Sequence, residues 1–301
     1  MDNKIIVITG ATSGVGKETA RDLARMGATV VILGRDVDKG LATLAELKAT
    51  ARFPDRLTFL SCDLSRLDDV RSVAGTLHER LDHIDVLICN AGVINMKRRE
   101  TVDGFEETFA VNHLAHFLLT GLLLDLIAKA PQGRIVVVSS NAHLVGHIRR
   151  DDPQRRRGYR SFGAYAASKL ANLHFTFELA RRLDGTPITV NALHPGAVAS
   201  NFSRNNGGIA SLGMKLLRPF FISPAQAAET PVHLATAPGL ATVTGRYFYH
   251  RRQHPTARRA QDRNTAEWLW RASETLTGLT WPTIQPPEIT QQPPPAVFSS
   301  R

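Results

Sequence analysis

The stretch Lys4-Ile5-Ile6-Val7-Ile8-Thr9-Gly10-Ala11-Thr12-Ser13-Gly14-Val15-Gly16-Lys17 decides how this chain folds. An apolar, β-branched run ends in Thr9-Gly10-x-x-x-Gly14-x-Gly16, and a helix-periodic segment follows at once. Strand, glycine turn and helix in that order make a phosphate site. The glycines allow a tight turn and close backbone approach, while the helix amino terminus offers free N–H groups and the positive end of its dipole. A plain glycine turn is the bland alternative, and the strand–turn–helix context argues against it. Gly10, Thr12, Ser13, Gly14, Val15 and Gly16 are therefore candidates for holding a dinucleotide.

Outward from this turn, short Val- and Ile-rich runs alternate with longer helix-periodic segments, the pattern of a parallel sheet covered on both faces. Strands are predicted at 4–9, 29–34, 57–62, 86–89, 134–139, 188–193 and 245–248. Helices are predicted at 14–26, 38–51, 67–81, 104–129, 163–183, 224–236 and 256–276. The expected fold is α/β: one Rossmann-like domain over 1–284, a doubly wound parallel sheet of about seven strands with helices on both faces and right-handed crossovers. Three segments break the alternation. Residues 141–161 are Arg- and Asp-rich, too polar for core, and read as a surface excursion near the site. Residues 200–223 hold a short amphipathic piece bracketed by Gly and Pro, placed where a substrate lid belongs. Residues 285–301 are Pro-rich and read as an extended or disordered tail.

The chain has 301 residues, 43% of them hydrophobic and 21% charged, enough to bury one large core. Its formal net charge of +10 raises nucleic acid or an anionic membrane as partners. Much of the excess is local, at Arg149, Arg150, Arg155, Arg156, Arg157 and Arg160 and at Arg251, Arg252, Arg258 and Arg259. These lie in polar connecting segments without interleaved aromatics or a recognition motif, so they read as solvated loops. An anionic cofactor and a small-molecule substrate are the more economical partners, with no nucleic acid; a homo-oligomer stays open. Cys62 and Cys89 form no disulfide framework or zinc spacing, which suits a reducing compartment. With the first strand at 4–9, neither a signal peptide nor a membrane anchor is expected, and the location is read as cytoplasmic.

Tyr165 and Lys169 stand four apart on a predicted helix, so an ammonium can lie beside a phenol. A nearby cation favours the phenolate and brings Tyr165 toward use as a proton donor and acceptor. Joined to a dinucleotide site, this reads as hydride transfer at an alcohol or carbonyl. At the end of the second strand, Gly34-Arg35-Asp36 bears on cofactor choice. An acid there binds the ribose hydroxyl of NAD, whereas Arg35 can pair with the 2′-phosphate of NADP. Gly34 occupies the acid's expected place, which favours NADP(H); Asp36 keeps NAD(H) open. Asp63 either hydrogen-bonds the adenine or caps the helix from Ser65. The pairs His113/His116 and His143/His147 have helical spacing, but no carboxylate motif accompanies them, and no metal is expected.

At this point the sequence resembles the short-chain dehydrogenase/reductase family, from about Lys4 to Gly278. The matches are Thr9-Gly10-x-x-x-Gly14-x-Gly16, Cys62-Asp63-Leu64, Asn90-Ala91-Gly92, Asn112, Ser139-Ser140, Tyr165-x-x-x-Lys169 and Pro195-Gly196. Within the family it looks most like the retinol-dehydrogenase-like branch, through Ser139-Ser140-Asn141-Ala142-His143, the long gap to Tyr165, Ser168-Lys169-Leu170-Ala171-Asn172-Leu173 and His194-Pro195-Gly196. The resemblance implies that Tyr165 is the general acid/base, and that Lys169 lowers its pKa and holds the nicotinamide ribose. It makes Ser140 the donor to the substrate oxygen, with Ser139 as its structural neighbour. Asn112 would kink its helix and anchor a water relay to the lysine. Asp63, Leu64, Asn90, Ala91 and Gly92 would line the cofactor, and Pro195 and Gly196, with Val198 and Ser200 beyond, would close over the nicotinamide. Cys89 and Ser200 replace the family's usual Asn and Thr; both are small changes that tune binding.

Two other classes were weighed. A non-catalytic NADP(H)-binding regulator or scaffold on the same fold has no need of Asn112, Ser140, Tyr165 and Lys169. Epimerase or dehydratase chemistry on nucleotide sugars calls for a Thr-Gly-x-x-Gly-x-x-Gly loop and a larger carboxyl-terminal domain, and the chain has neither. The favoured reading is an NADP-dependent alcohol dehydrogenase or carbonyl reductase with a lipophilic substrate.

Overall fold

β1 (Ile5–Thr9) lies inside the sheet, with β2 (Thr29–Gly34) paired on one side and β4 (Val86–Cys89) on the other. The computed structural model describes residues 1–197 and 222–284. With β3 (Leu57–Ser61), β5 (Arg134–Val138), β6 (Thr189–His194), β7 (Arg246–Tyr249) and β8 (Arg252–Gln253), the strand order is β3-β2-β1-β4-β5-β6-β7-β8. Strands β1 to β7 are parallel, as the continuous apolar runs predict, and winding reverses between β1 and β4. Their carboxyl ends therefore part at a crevice outside Thr9 and Asn90, the place where such sheets bind ligands.

Alternation along the strands feeds two cores. Ile6, Ile8, Val30 and Ile32 pack with Leu23 of α1 (Gly14–Arg25), Leu47 of α2 (Val37–Lys48) and Val232 of α8 (Pro224–Thr236). On the other face Val7, Val31, Leu33 and Leu87 pack with Val70 of α3 (Leu67–Arg80), Leu118 of α5 (Ala115–Leu122), Leu173 of α7 (Ser161–Arg182) and Trp270 of α9 (Arg263–Thr277). Each fully buried aliphatic side chain contributes about 1.5–3 kcal/mol. That is what fixes the glycine turn at one edge of the crevice.

The structure departs from the sequence reading in four places. The eighth strand, β8, is a short antiparallel addition in a segment read as polar connection. It arises because His250 and Arg251 both take positive φ, 49° and 62°, giving a two-residue reversal without the Gly or Asn that usually marks one. The helix expected over 104–129 is broken into α4 (Glu107–Phe109), a π-helical segment Ala110–Leu114, α5 and α6 (Leu124–Ala128). The helix expected from 256 starts at Arg263, because Asp262 caps it by accepting from the Asn264 N–H; a 3-10 turn, Arg258–Gln261, precedes it. Finally, the stretch 141–161 is not wholly solvated: His143, Asp152, Gln154 and Arg155 are buried. Their polar groups are matched internally, since the Asp152 carboxylate accepts from the Arg156 and Arg157 N–H groups and Gln154 Oε1 accepts from the Glu106 N–H.

The remaining nine arginines of the two basic clusters are exposed, as expected of solvated loops. The lid read at 200–223, apart from Ile222 and Ser223, and the tail read at 285–301 lie outside the described residues. At the margin of the former, the Ile222 N–H donates to the Ala197 carbonyl at 2.8 Å.

Candidate active site

The phosphate turn is made of backbone. Gly14 has φ +57°, a conformation that L side chains rarely adopt, and a Cβ there would meet nothing within 4 Å, so the turn is open on that side. Gly16 is needed for the opposite reason: a Cβ would lie 2.3 Å from Asn90 Nδ2 and 2.6 Å from the Gly10 carbonyl oxygen. Asn90 uses that nitrogen to donate to the Thr9 and Gly10 carbonyls at 2.8 and 3.2 Å, so its side chain braces the turn. Ser13 is the N-cap of α1 yet its hydroxyl makes no capping bond, and the first turn carries no acid. The first-turn N–H groups are thus left without a side-chain cap, at a helix start where an anion is favoured.

The residues proposed to bind the adenosine half are distributed unequally. A Cβ on Gly34 would lie 2.6 Å from Thr12 Cγ2, so a side chain at that position would have to displace the Thr12 methyl. Arg35 is exposed, and among the described residues it makes no ion pair. Asp36 is the N-cap of α2 and accepts from the Lys39 N–H at 3.0 Å. The Asp63 carboxylate accepts from the Ser65 N–H, but in a turn ahead of the helix: α3 begins at Leu67, whose N–H donates to Asp103 instead. Leu64 is in the core, leaving only its backbone near the crevice. Pro195 and Gly196 follow β6 at the crevice's far side; Val198 and Ser200 lie outside the described residues.

The four catalytic candidates come from three elements and meet behind the crevice. Asn112 sits in the middle of the π-helical segment and is fully buried. Its Oδ1 accepts from the Val93 N–H at 2.7 Å, and its Nδ2 donates to the Val93 carbonyl at 3.0 Å and to Ser168 Oγ at 2.9 Å. A side chain so engaged outside its helix explains the wider turn there. Lys169 on α7 donates from Nζ to the Val138 carbonyl at 3.0 Å, while Ser139 Oγ donates to the Lys169 carbonyl at 2.7 Å. Ser140 caps the 3-10 turn Asn141–Val145, its Oγ accepting from the Ala142 N–H at 3.1 Å, and its side chain hydrogen-bonds Tyr165. Gly92 closes the group: a Cβ there would lie 3.3 Å from Lys169 Nζ and 3.4 Å from Asn112 Oδ1. Bare backbone at Gly92 is what lets this segment pack so closely against the lysine and the asparagine.

Electrostatics in this corner are dominated by burial. Desolvation pushes the Tyr165 phenol above its ordinary value, and the hydrogen bond with Ser140 draws it back. Desolvation lowers the Lys169 ammonium to about 8. The sequence reading has the lysine lowering the phenol's pKa. Lys169 Nζ does lie over the Tyr165 ring, 5.7 Å from its centroid, but burial wins and the net shift is upward.

Sequence reasoning gave no role to three neighbours. Ser168 accepts from Asn112 and donates to the Tyr165 carbonyl at 2.8 Å. Asn172 Nδ2 shares the Val138 carbonyl with Lys169, at 3.2 Å. His116 Nδ1 donates to the Asn112 carbonyl at 3.1 Å, which leaves Nε2 to face the Thr9 hydroxyl at 2.8 Å. Burial lowers the His116 pKa to about 4, so the ring is neutral and ties the π-helical segment to the phosphate turn. The signal for His116 was its i, i+4 spacing from Asn112, which sequence reasoning read only as a candidate metal pair.

The open glycine turn at Gly14 and the uncapped helix start beside it fit a dinucleotide. A family model described as short chain dehydrogenase matches residues 4–208. The chain belongs to the short-chain dehydrogenase/reductase family. Within it, the chain falls in the retinol-dehydrogenase-like branch. Retinol dehydrogenase 12 of Mus musculus is 44% identical over 278 residues, 92% of this chain and 87% of the relative. Among solved structures, an uncharacterized protein from Mycobacterium Paratuberculosis superposes with a TM-score of 0.75 at 36% identity, covering 93% of this chain and 96% of its own. Pseudomonas aeruginosa RhlG, in an NADP active-site complex, has a TM-score of 0.67 at 26% identity, covering 82% and 94%. The protein is thus an oxidoreductase of hydride transfer with a nicotinamide cofactor. No helix among the described residues is long and apolar enough to cross a membrane.

Proposed function

We propose that this oxidoreductase moves a hydride between NADP(H) and the alcohol or carbonyl group of a lipophilic small molecule, as an alcohol dehydrogenase or carbonyl reductase. The observation that carries it is the corner in which the Ser140 hydroxyl meets the Tyr165 phenol, with Lys169 and Asn112 behind them. The cofactor supplies or takes the hydride. The chain's own residues manage the charge left on oxygen. Ser140 Oγ, already accepting from the Ala142 N–H, turns its proton toward the substrate oxygen. Tyr165, its pKa raised by burial, holds its proton at neutral pH and is ready to give it to that oxygen. The phenolate left behind is stabilised by Ser140 and by the Lys169 ammonium over the ring. Asn112 fixes the backbone of Val93 and the hydroxyl of Ser168 around them. Gly10 to Gly16, Arg35, the backbone at Asp63 and Leu64, Asn90 to Gly92, Pro195, Gly196, Val198 and Ser200 complete the cofactor contacts.

Preference for NADP(H) is supported by the exposed Arg35, which makes no ion pair among the described residues, by Asp36 being spent on capping α2, and by the glycine at position 34, where an acid would stand to bind the ribose of NAD. The NADP named for RhlG points the same way. A lipophilic substrate is supported by the relatives' name, retinol dehydrogenase, and by exposed Met96, Leu144, Val145 and Phe162, each within a few residues of a candidate site residue. One domain over 1–284, with a substrate lid at about 200–223 and a tail at 285–301, belongs to this reading. So does a cytoplasmic location, which the free, buried Cys62 and Cys89 support. The test is oxidation of NADPH and NADH against carbonyl compounds graded by size and polarity. The expected result is turnover with NADPH that rises with apolar area. NADH preference overturns the cofactor assignment; rates independent of apolar area overturn the substrate class.

A further inference from the structure

His143 has no part in the chemistry above, yet it is fully buried one short turn after Ser140 and both of its ring nitrogens are engaged. Nδ1 lies 2.7 Å from the Ser140 carbonyl oxygen, which can only accept, so Nδ1 carries the proton. Nε2 then accepts from the Ala257 N–H at 3.3 Å. The ring packs edge-on against Tyr247, with centroids 5.1 Å apart at 73°. The same Ser140 carbonyl also accepts from the His143 backbone N–H at 3.0 Å. Around this centre the turn is tied down twice more. Tyr247 donates its hydroxyl proton to Asn141 Oδ1 at 2.9 Å, and Arg259 Nη1 donates to the Gly146 carbonyl at 2.8 Å.

We propose that His143 is a positioning residue for Ser140: its neutral imidazole bolts the Ser140 peptide to the segment 257–259, so that the Ser140 hydroxyl keeps one direction toward the reacting oxygen and the Tyr165 phenol. The inference rests on the role given to Ser140 under Proposed function. A serine Oγ sits in one of a few staggered wells whose direction in space is set by its own backbone, so a backbone that shifts turns the hydroxyl with it, and small errors of aim are costly in proton and charge transfer. The backbone N–H bond to the Ser140 carbonyl survives removal of the ring. The turn therefore persists while its aim loosens, and the loss falls on turnover more than on folding.

Three substitutions in the full chain separate aim from bulk. His143→Phe keeps ring volume beside Tyr247 and removes both bonds. His143→Asn places its amide near the Nδ1 position, where its NH2 can donate to the Ser140 carbonyl, and His143→Gln places its amide near the Nε2 position, where its oxygen can accept from Ala257 with no donor left at the Nδ1 position. Turnover should fall about 10-fold in the Phe and Gln variants and stay within about threefold in the Asn variant, with cofactor dissociation constants changed less than about twofold in all. In a Ser140→Ala background, adding His143→Phe should change the residual rate by less than about twofold, because there is no hydroxyl left to aim. A second readout needs no turnover. Phenolate titration of Tyr165, isolated by subtracting the Tyr165→Phe protein, should move upward in His143→Phe and return in His143→Asn, since the Ser140 bond lowers that pKa. If the Phe variant fails to fold, the Asn and Gln variants decide. Equal rates for Asn and Gln, or a full 10-fold loss for His143→Phe on Ser140→Ala, overturn the positioning role while leaving Ser140 in place. A Ser140→Ala enzyme at wild-type rate overturns the Ser140 reading itself, and His143's role with it.

Discussion

At the end of β1 the turn from Gly10 to Gly16 offers main-chain N–H groups, an uncapped helix start and an absence of side chains. At the end of β5, two strands away, Ser140 meets Tyr165 with buried Lys169 and Asn112 behind them, side chains from three separate elements held by directed hydrogen bonds. The first region works by leaving space at fixed backbone; the second works by filling space with groups whose protonation burial controls. Damage should therefore differ in kind. In the turn, adding an atom is harmful, and in the corner, removing one is.

The largest effect is expected in the corner. Tyr165→Phe removes one oxygen and with it the transferable proton, so turnover should drop at least about 100-fold while cofactor affinity stays within about twofold. Single-turnover kinetics with a cofactor titration alongside checks both halves. An enzyme that keeps its rate would show that the proton comes from elsewhere.

Lys169 sharpens the contrast, because its charge is costly to the fold. An unfolded lysine titrates near 10.4, whereas burial holds this one at about 8. Between about pH 8 and 10.4 the unfolded chain binds the extra proton, so stability rises with pH across that window and the full penalty lies below pH 8. Lys169→Met should thus stabilise the fold at pH 7, by up to about 3 kcal/mol, with the gain shrinking to nothing by about pH 10.5. The Val138 carbonyl keeps Asn172 as a donor, so it is not orphaned by the change. Denaturant melts from pH 6 to 10.5 measure this, and turnover should collapse in the same variant. A variant destabilised at pH 7 would show that the ammonium's hydrogen bond outweighs its desolvation.

In the turn the comparison is between two glycines. Gly16→Ala puts a methyl into Asn90 Nδ2 and the Gly10 carbonyl, both of which hold the turn. Its cost should be about 2 kcal/mol in stability, with cofactor affinity down about 30-fold. Gly14→Ala meets open space and costs only its positive φ, about 1 kcal/mol. Thermal melts and cofactor titration of the two proteins rank them. Equal penalties would mean that conformation, not close approach, governs this turn.

The same contrast explains what could be read from the sequence. A site made of backbone is announced by glycines, and the parallel strands by unbroken Val and Ile runs, so the turn, the order of elements and the crevice were legible. The catalytic corner was found through motif resemblance, and the bonds that hold it were not. Asn112 disturbs its helix because of a partner, Val93, that lies 19 residues away in sequence. His116 and His143 had only helical spacing to show, with no metal expected of them, until the fold supplied Thr9 and Ala257 as partners. The buried side chains of 141–161 defied composition because Asp152 and Gln154 satisfy backbone groups rather than water. The hairpin into β8 was hidden because its turn residues, His250 and Arg251, are not turn formers.

The smallest expected effect falls at the far end of the turn region, where two adjacent charges have been given different work. Arg35 is exposed and unpaired, while Asp36 accepts from the Lys39 N–H at the start of α2. If Arg35 reads a 2′-phosphate, Arg35→Ala should weaken NADPH about tenfold and leave NADH nearly unchanged, the loss of one charge-assisted contact at a site screened by water. Asp36→Ala should do the reverse of what a ribose-binding acid would do. It should lower stability by about 1 kcal/mol through the lost cap and leave the ratio of the two affinities within about twofold. Fluorescence titration of both cofactors with both variants separates the roles. If removing Asp36 weakens NADH selectively, the carboxylate leaves its cap to meet the ribose, and the preference for NADP(H) no longer follows from the geometry of this corner.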